Sequence, residues 1–414
     1  MADIVPNKLY AERMKRVLDA VALKEPDRVP IIPQPEAFPM FYAGVSIEEA
    51  MHDYRKVGPA LDSFYADFQP DLGWGPDLMY FSGAMEACGI KWLKWPGNGI
   101  DERNEMYQYI EGEHMRGDEY DEFVHDPTHF IQSKWIPRCF SKAEGLKHLR
   151  LRNSLWAGFF GAFSQFSNPE LVESLKALTR TAELLNEWFT YCGDYGEKIE
   201  SVFGIPLAVG GNAFAPFDLL GDTMRGTLNI MTDLMDRPEK VLDAVDALLP
   251  IALESPIDQC KANDRKFVWI WLHKGVDEMM SVEQYKTFYW PTLQKLICGL
   301  VDEDLTPIVY CEGSYNTRLE IIREVPRARV VYDFENTDMI RAKEVLGDVA
   351  CIAGNLPNAM LFSSTAEEVD SYCRDLIMKA GKGGGFMLDT GGLIDNAKTE
   401  NLRAFFDSVE KYRP

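Results

Sequence analysis

The sequence predicts an α/β protein built as a (β/α)8 TIM-type barrel with an irregular N-terminal elaboration, on three observations. From about residue 168 onward, near-continuous apolar strands alternate with helices, five of them in regular succession, the pattern of a parallel sheet covered by helices. With the earlier strands the count approaches eight, which favours a closed barrel over a doubly wound open sheet. The strands also end in ionisable groups, as the C-terminal mouth of such a barrel requires. The 414 residues suit a single barrel domain, 1–414, with an insert.

Taken in order, a helix is expected over about 7–24, where Met14, Val17, Leu18 and Val21 recur at helical spacing among charged residues. Pro26 and Pro30 end it, and residues 29–32 read as a short strand. The stretch 36–150 is rich in Trp, Tyr, Met and acidic residues, with many turn signals and little alternation. It reads as an elaboration with a small hairpin, either a cap of the barrel mouth or an irregular outer layer. A long helix follows over 168–203, with Leu171, Leu175, Leu178, Leu184, Leu185 and Trp188 on its buried side. Strands are expected at 206–210, 267–273, 307–312, 328–333, 349–355 and 385–389. Helices fill the intervals, near 222–235, 281–302, 316–324, 337–346, 365–380 and 399–412. The glycine run at 381–385 precedes a strand, whereas phosphate-binding loops follow one, so it reads as a turn.

Lys and Arg number 43 and Asp and Glu 65, a formal charge of −22. That excludes a nucleic-acid or anionic-membrane surface as the main business of the chain. No apolar run approaches the ~18 residues of a membrane span, and the opening residues lack a basic-then-apolar leader. The expectation is a cytoplasmic protein. Eight cysteines without a C-x-x-C pair read as reduced, mostly buried thiols.

The strand ends carry the chemistry. They present His273, then Tyr310 and Glu312, Asp333 with Glu335 beyond it, Asn355, and Asp389. Asp and Asn after a strand also serve as helix caps, whereas His273 and Glu312 are not preferred caps and are the stronger candidates. Alternation puts Tyr310 and Glu312 on one face of their strand and turns Cys311 toward the helices. Trp74, between two glycines, is expected to form a wall against which a ligand ring stacks, or to plug the seam between elaboration and barrel.

Several segments carry a family resemblance. They are Glu12-Arg-Met-Lys-Arg-Val-Leu with Asp27-Arg-Val-Pro-Ile, Ala215-Pro-Phe-Asp-Leu-Leu, Met231-Thr-Asp-Leu-Met-Asp-Arg-Pro-Glu-Lys-Val, Gly354-Asn-Leu-Pro, Gly384-Gly-Phe-Met-Leu-Asp and Thr399-Glu-Asn-Leu. Their order resembles the uroporphyrinogen decarboxylase superfamily, most clearly after about residue 205. The resemblance implies a (β/α)8 barrel and one of two chemistries. One branch decarboxylates a tetrapyrrole octa-acid without a cofactor. The other passes methyl groups to or from a corrinoid held by a partner protein, and uses zinc.

The decarboxylase branch grips its acidic substrate with an N-terminal Arg pair, and the matching stretch 31–40 holds no Arg. The methyltransferase branch holds zinc through His-x-Cys and a distant Cys; these fall on Tyr310, Glu312 and Gly391. The resemblance with these departures implies a corrinoid-dependent methyltransferase that demethylates a small molecule, best a methoxylated aromatic, with a corrinoid-binding protein as partner. Tyr310, Glu312 and His273 would assist the leaving oxygen, as proton donors or, for His273 and Glu312, as ligands of zinc or another divalent ion. Trp74, Asp333, Asn355 and Asp389 would line the substrate. A cofactor-independent decarboxylase is the alternative.

Overall fold

A computed structural model describes residues 8–413, so the expected helix start at Asn7 and the opening residues 1–7 lie outside the described residues. Three short strands lie in the elaboration: β1 (Leu93–Pro96), β2 (Gly99–Ile100) and β3 (Gln108–Tyr109), in the order β2-β1-β3 with β1 and β3 antiparallel. Six more, β4 (Gly211–Phe214), β5 (Phe267–Leu272), β6 (Thr306–Cys311), β7 (Val331–Phe334), β8 (Cys351–Pro357) and β9 (Phe386–Gly391), stand side by side in chain order and pair in parallel throughout.

Two short stretches close this sheet into a barrel. Ile31 bridges Leu388 of β9 in parallel, and the Asp71 amide donates to the Ile31 carbonyl at 2.8 Å. Gly73 bridges Leu207, and the Gly210 amide donates to the Phe267 carbonyl of β5 at 2.9 Å. Residues 71–73, inside the stretch read as elaboration, are therefore a barrel stave. Their sequence hid this, because a stave between Pro70 and Pro76 with two glycines shows no alternation. The strand expected over 206–210 is likewise only an approach to β4, whose pairing with β5 starts at Gly211. There the backbone runs so close to helix Pro238–Asn263 that a Cβ on Gly211 would meet the Pro256 carbonyl at 2.6 Å.

Strand alternation sorts side chains into two cores. Val309 and Cys311, Tyr332 and Phe334, and Ile352 face outward into the layer shared with the helices. Phe267, Trp269, Ile308, Tyr310, Val331, Ala353 and Met387 fill the barrel interior. Helix Lys8–Val21 closes the bottom, adding Val17, Ala20 and Val21 to that interior core. Arg16 and Arg28 both grip the buried Asp71 at 2.6 Å, and Asp71 also accepts the Ile31 amide at 2.9 Å. Arg13 donates to the carbonyls of Phe203 and Gly204. The N-terminal Arg residues of the resemblance are thus rivets at the closed end of the barrel. Among the described residues no helix is long and apolar enough to cross a membrane.

Candidate active site

Each inner face changes character as it climbs. On β5 it runs Phe267, Trp269, Trp271 and then His273; on β6 it runs Ile308, Tyr310 and then Glu312. Apolar residues fill the closed end, and ionisable groups reach the mouth.

His273 and Glu312 meet at the rim, with Nε2 3.7 Å from Glu312 Oε2. On the other side His273 Nδ1 lies 2.6 Å from Asp222 Oδ2. Lys274 Nζ pairs with the other oxygen of Asp222 at 2.6 Å and donates to the Thr227 hydroxyl at 2.7 Å. Beneath them the buried carboxylate of Asp218 accepts the amides of His273 and Lys274, both at 3.0 Å, and the hydroxyl of Tyr289. Asp218 and Asp222 leave the helical segment after β4 one turn apart, so both reach the same loop.

The charges settle accordingly. Burial pulls the His273 imidazole down, but the hydrogen bond to Asp222 and the charges of Asp218, Asp222 and Glu312 outweigh it and hold the ring at about 9. Asp222 is also penalised by burial, yet His273 and Lys274 together bring it below the usual carboxylate range. Asp218 is lifted to about 6 by burial and by the charge of Asp222. Burial raises Glu312, against the pull of His273. At neutral pH the rim therefore holds an imidazolium clasped between carboxylates.

One inward step below, level with Tyr310, sits Asp333. Asp333 and Asp389 are fully buried side by side beneath Gln34, and two buried like charges favour keeping a proton on the pair. Gln34 Nε2 donates to both, at 3.1 and 3.2 Å. Burial lifts Asp333 to about 7, and burial with the Asp333 charge lifts Asp389 well above the ordinary value. Ala353 of β8, paired with both Asp333 and Met387, leaves room for the two carboxyls across that strand. Tyr310 is buried beside Asp333, one step below Glu312. Burial, then the charges of Glu335, Asp333, Glu312 and Asp389, keep its phenol protonated.

The expected site residues are thus only partly united. His273 and Glu312 share the rim with Tyr310 below them, while Asp333 and Asp389 form a separate sealed pair. Asn355 is buried and donates to the Thr337 carbonyl at 2.8 Å, tying two loops together rather than opening to a cavity. Trp74 packs its ring on Trp269 at 5.0 Å and Trp271 at 6.2 Å, and Trp271 in turn meets Tyr310 edge-on at 5.5 Å. Cys311 is buried in the outer layer, as alternation requires.

The arrangement does not fit a zinc ion on His273 and Glu312. His273 and Glu312 stand as a pair without the third protein ligand a zinc site needs, since no group of three His, Cys, Asp or Glu residues positioned for a metal occurs among the described residues. Sequence reasoning missed Asp222, Asp218, Lys274 and Gln34. The i, i+4 aspartates in Pro216-Phe-Asp-Leu-Leu-Gly-Asp were a usable signal; Gln34, ending a stave with no alternation, gave none.

The elaboration reaches this rim. The Tyr107 hydroxyl donates to Glu36, just past the first stave, at 2.6 Å, and burial raises that carboxyl to about 7. Tyr109, hydrogen-bonded to Tyr80, feels the charges of Glu36 and Asp222.

Comparison with known proteins places this geometry in context. A family model described as Uroporphyrinogen decarboxylase (URO-D) matches residues 165–412. A uroporphyrinogen decarboxylase of Koribacter versatilis is 23% identical over 228 residues, covering 54% of this chain and 64% of that protein. One of Trichodesmium erythraeum is 30% identical over 135 residues, 32% of this chain and 37% of that protein. The chain thus spans less than two thirds of these relatives' length. A solved methyltransferase from Methanosarcina mazei superposes with a TM-score of 0.63 at 14% identity, over 96% of this chain and 98% of the other.

Proposed function

The chain belongs to the uroporphyrinogen decarboxylase family, and from that premise we propose that it is a methyltransferase that demethylates a methoxylated aromatic compound, the acceptor being a corrinoid on a separate protein. The observation that carries this reading is the Asp222–His273–Glu312 set at the barrel mouth. The corrinoid would supply the nucleophile toward the methyl carbon. The residues of this chain deal with the oxygen left behind.

A phenolate departs poorly unless a proton reaches it. An imidazolium held at about 9 is loaded at neutral pH and is acidic enough to protonate a phenolate, whose conjugate acid titrates near ~10. Asp222 fixes the ring through Nδ1 and leaves Nε2 as the donor. Glu312, with half its side chain exposed, returns a proton from water to that nitrogen. Tyr310, buried and protonated, is a hydrogen-bond donor and not a base, and with Trp271 it offers an aromatic wall for the substrate ring.

The family name alone favours decarboxylation of an acidic tetrapyrrole. The mouth argues otherwise, because Asp218, Asp222, Glu312 and Glu335 collect around it and would repel a polyanion. The test is anaerobic incubation with Co(I) cobalamin and a panel of methoxyarenes, read by cobalamin absorbance. Methyl transfer with release of the phenol supports the reading. Inertness toward every methoxyarene, with carbon dioxide released from a carboxylated tetrapyrrole, replaces it with the decarboxylase.

A further inference from the structure

Residues 150–167 form an arm that leaves its apolar side chains in water. On helix Asn153–Phe163, Leu155 is 94% and Trp156 93% exposed, and Phe159, Phe160 and Phe163 are 72%, 78% and 60% exposed. Leu151 precedes them, and Phe189 on helix Pro169–Lys198 is exposed as well. With a large aromatic side chain offering ~150–250 Å², these residues present roughly 1,000 Å² of apolar surface. The largest such patch on a typical monomer is ~300–600 Å², whereas a stable interface takes ~800 Å² from each partner. Beside the arm, Phe166, Val172 and Leu175 line an open groove of about 480 Å³, walled by Lys176 and Arg180.

We propose that two copies of this chain pair through the arm about a twofold axis, with Trp156 of each seated in the groove of the other. One surface carries both the protruding knob and an apolar hole beside it, which is what an isologous contact needs. The aromatic content suits a permanent partner, because interfaces that must come apart are no more apolar than ordinary surface. A carrier protein that docks and leaves is therefore the poorer occupant. Two chains of charge −22 repel at long range, but the groove walls are locally balanced, with Lys176 paired to Glu173 and Arg180 to Glu183. An anionic bilayer would meet the repulsion of the whole chain without that compensation.

Sedimentation velocity of the full chain at micromolar concentration tests this. The wild type is expected at twice the monomer mass. Trp156→Glu with Phe160→Glu is expected to sediment as a monomer with an unchanged melting temperature, since both side chains are in solvent in the single chain. Amides of 151–166 are expected to gain hydrogen-exchange protection as concentration rises. A monomeric wild type, a dimer that survives the double substitution, or a monomer that floats with phosphatidylcholine or phosphatidylglycerol vesicles through the arm would overturn the proposal.

Discussion

Two sets of carboxylates occupy one barrel and live under opposite rules. At the rim, Asp222 and Glu312 stand beside His273 and Lys274 and hold a proton on the imidazole. One step down, Asp333 and Asp389 have only Gln34 and each other, and hold a proton between themselves. The residue type is the same. The difference is whether a cation shares the burial. It teaches that the rim is poised to give up a proton to a ligand, while the inner pair keeps its proton because burial without a cation penalises the second charge.

The sharpest break of this comparison is at Glu312 and His273. Glu312→Gln keeps the shape and removes the charge, and His273→Ala removes the donor. Each is expected to fold and to lose at least about a hundredfold in turnover, within the ~10²–10⁴ typical of an acid–base group. The methyl-transfer assay checks this, and near wild-type rates would take both residues out of the chemistry.

Next is Trp74, which supports the interior from the side. Trp74→Leu is expected to cost roughly 1–3 kcal/mol through lost packing on Trp269 and Trp271, read by chemical denaturation. A melting temperature left untouched while the choice of methoxyarene changes would make Trp74 a substrate wall and not a packing residue.

Asp222→Asn tests the rim directly. Without that charge the imidazole is expected to fall from about 9 toward the ordinary ~6.5, followed by NMR titration among only six histidines. The raised value also carries a stability signature. The stabilisation is fully present below ~6.5 and is lost as pH rises through about 9. A pKa that stays near 9 in the variant would assign the shift to Asp218 and Glu312.

The smallest effect concerns the inner pair, and its window differs. Asp333 is raised from 3.8 to about 7, so stability is expected to decline as pH climbs between those values. Asp333→Asn should flatten that decline and raise the melting temperature at pH ~8 by a few degrees, as expected for removing one of two buried like charges. A variant that melts lower than the wild type at every pH would show that the pair stabilises the barrel.

Much of the rim was legible from one strand at a time. Apolar runs ending in His273 and in Tyr310-Cys311-Glu312 specify strands, and period two puts Tyr310 and Glu312 inward and Cys311 outward. The partners of those groups were not legible. His273 meets Asp222 across 51 residues of chain, and Gln34 reaches Asp333 across 299. Asp333 and Asp389 read as mouth residues because strand ends alone do not tell the depth of a side chain.

By itself, then, the sequence determined the parallel strands, the helices between them, which face of β6 looks inward, and the acidic character of the mouth, because those depend on local alternation and composition. Only the tertiary structure decided that residues 71–73, a stave without a pattern, join the short strand expected over 29–32 to close the barrel. It also decided that one set of carboxylates gains a cation while the other shares a proton. Closure and protonation both depend on which distant groups are brought within a few ångströms in a place that water does not reach, and that distance is not encoded in any one segment.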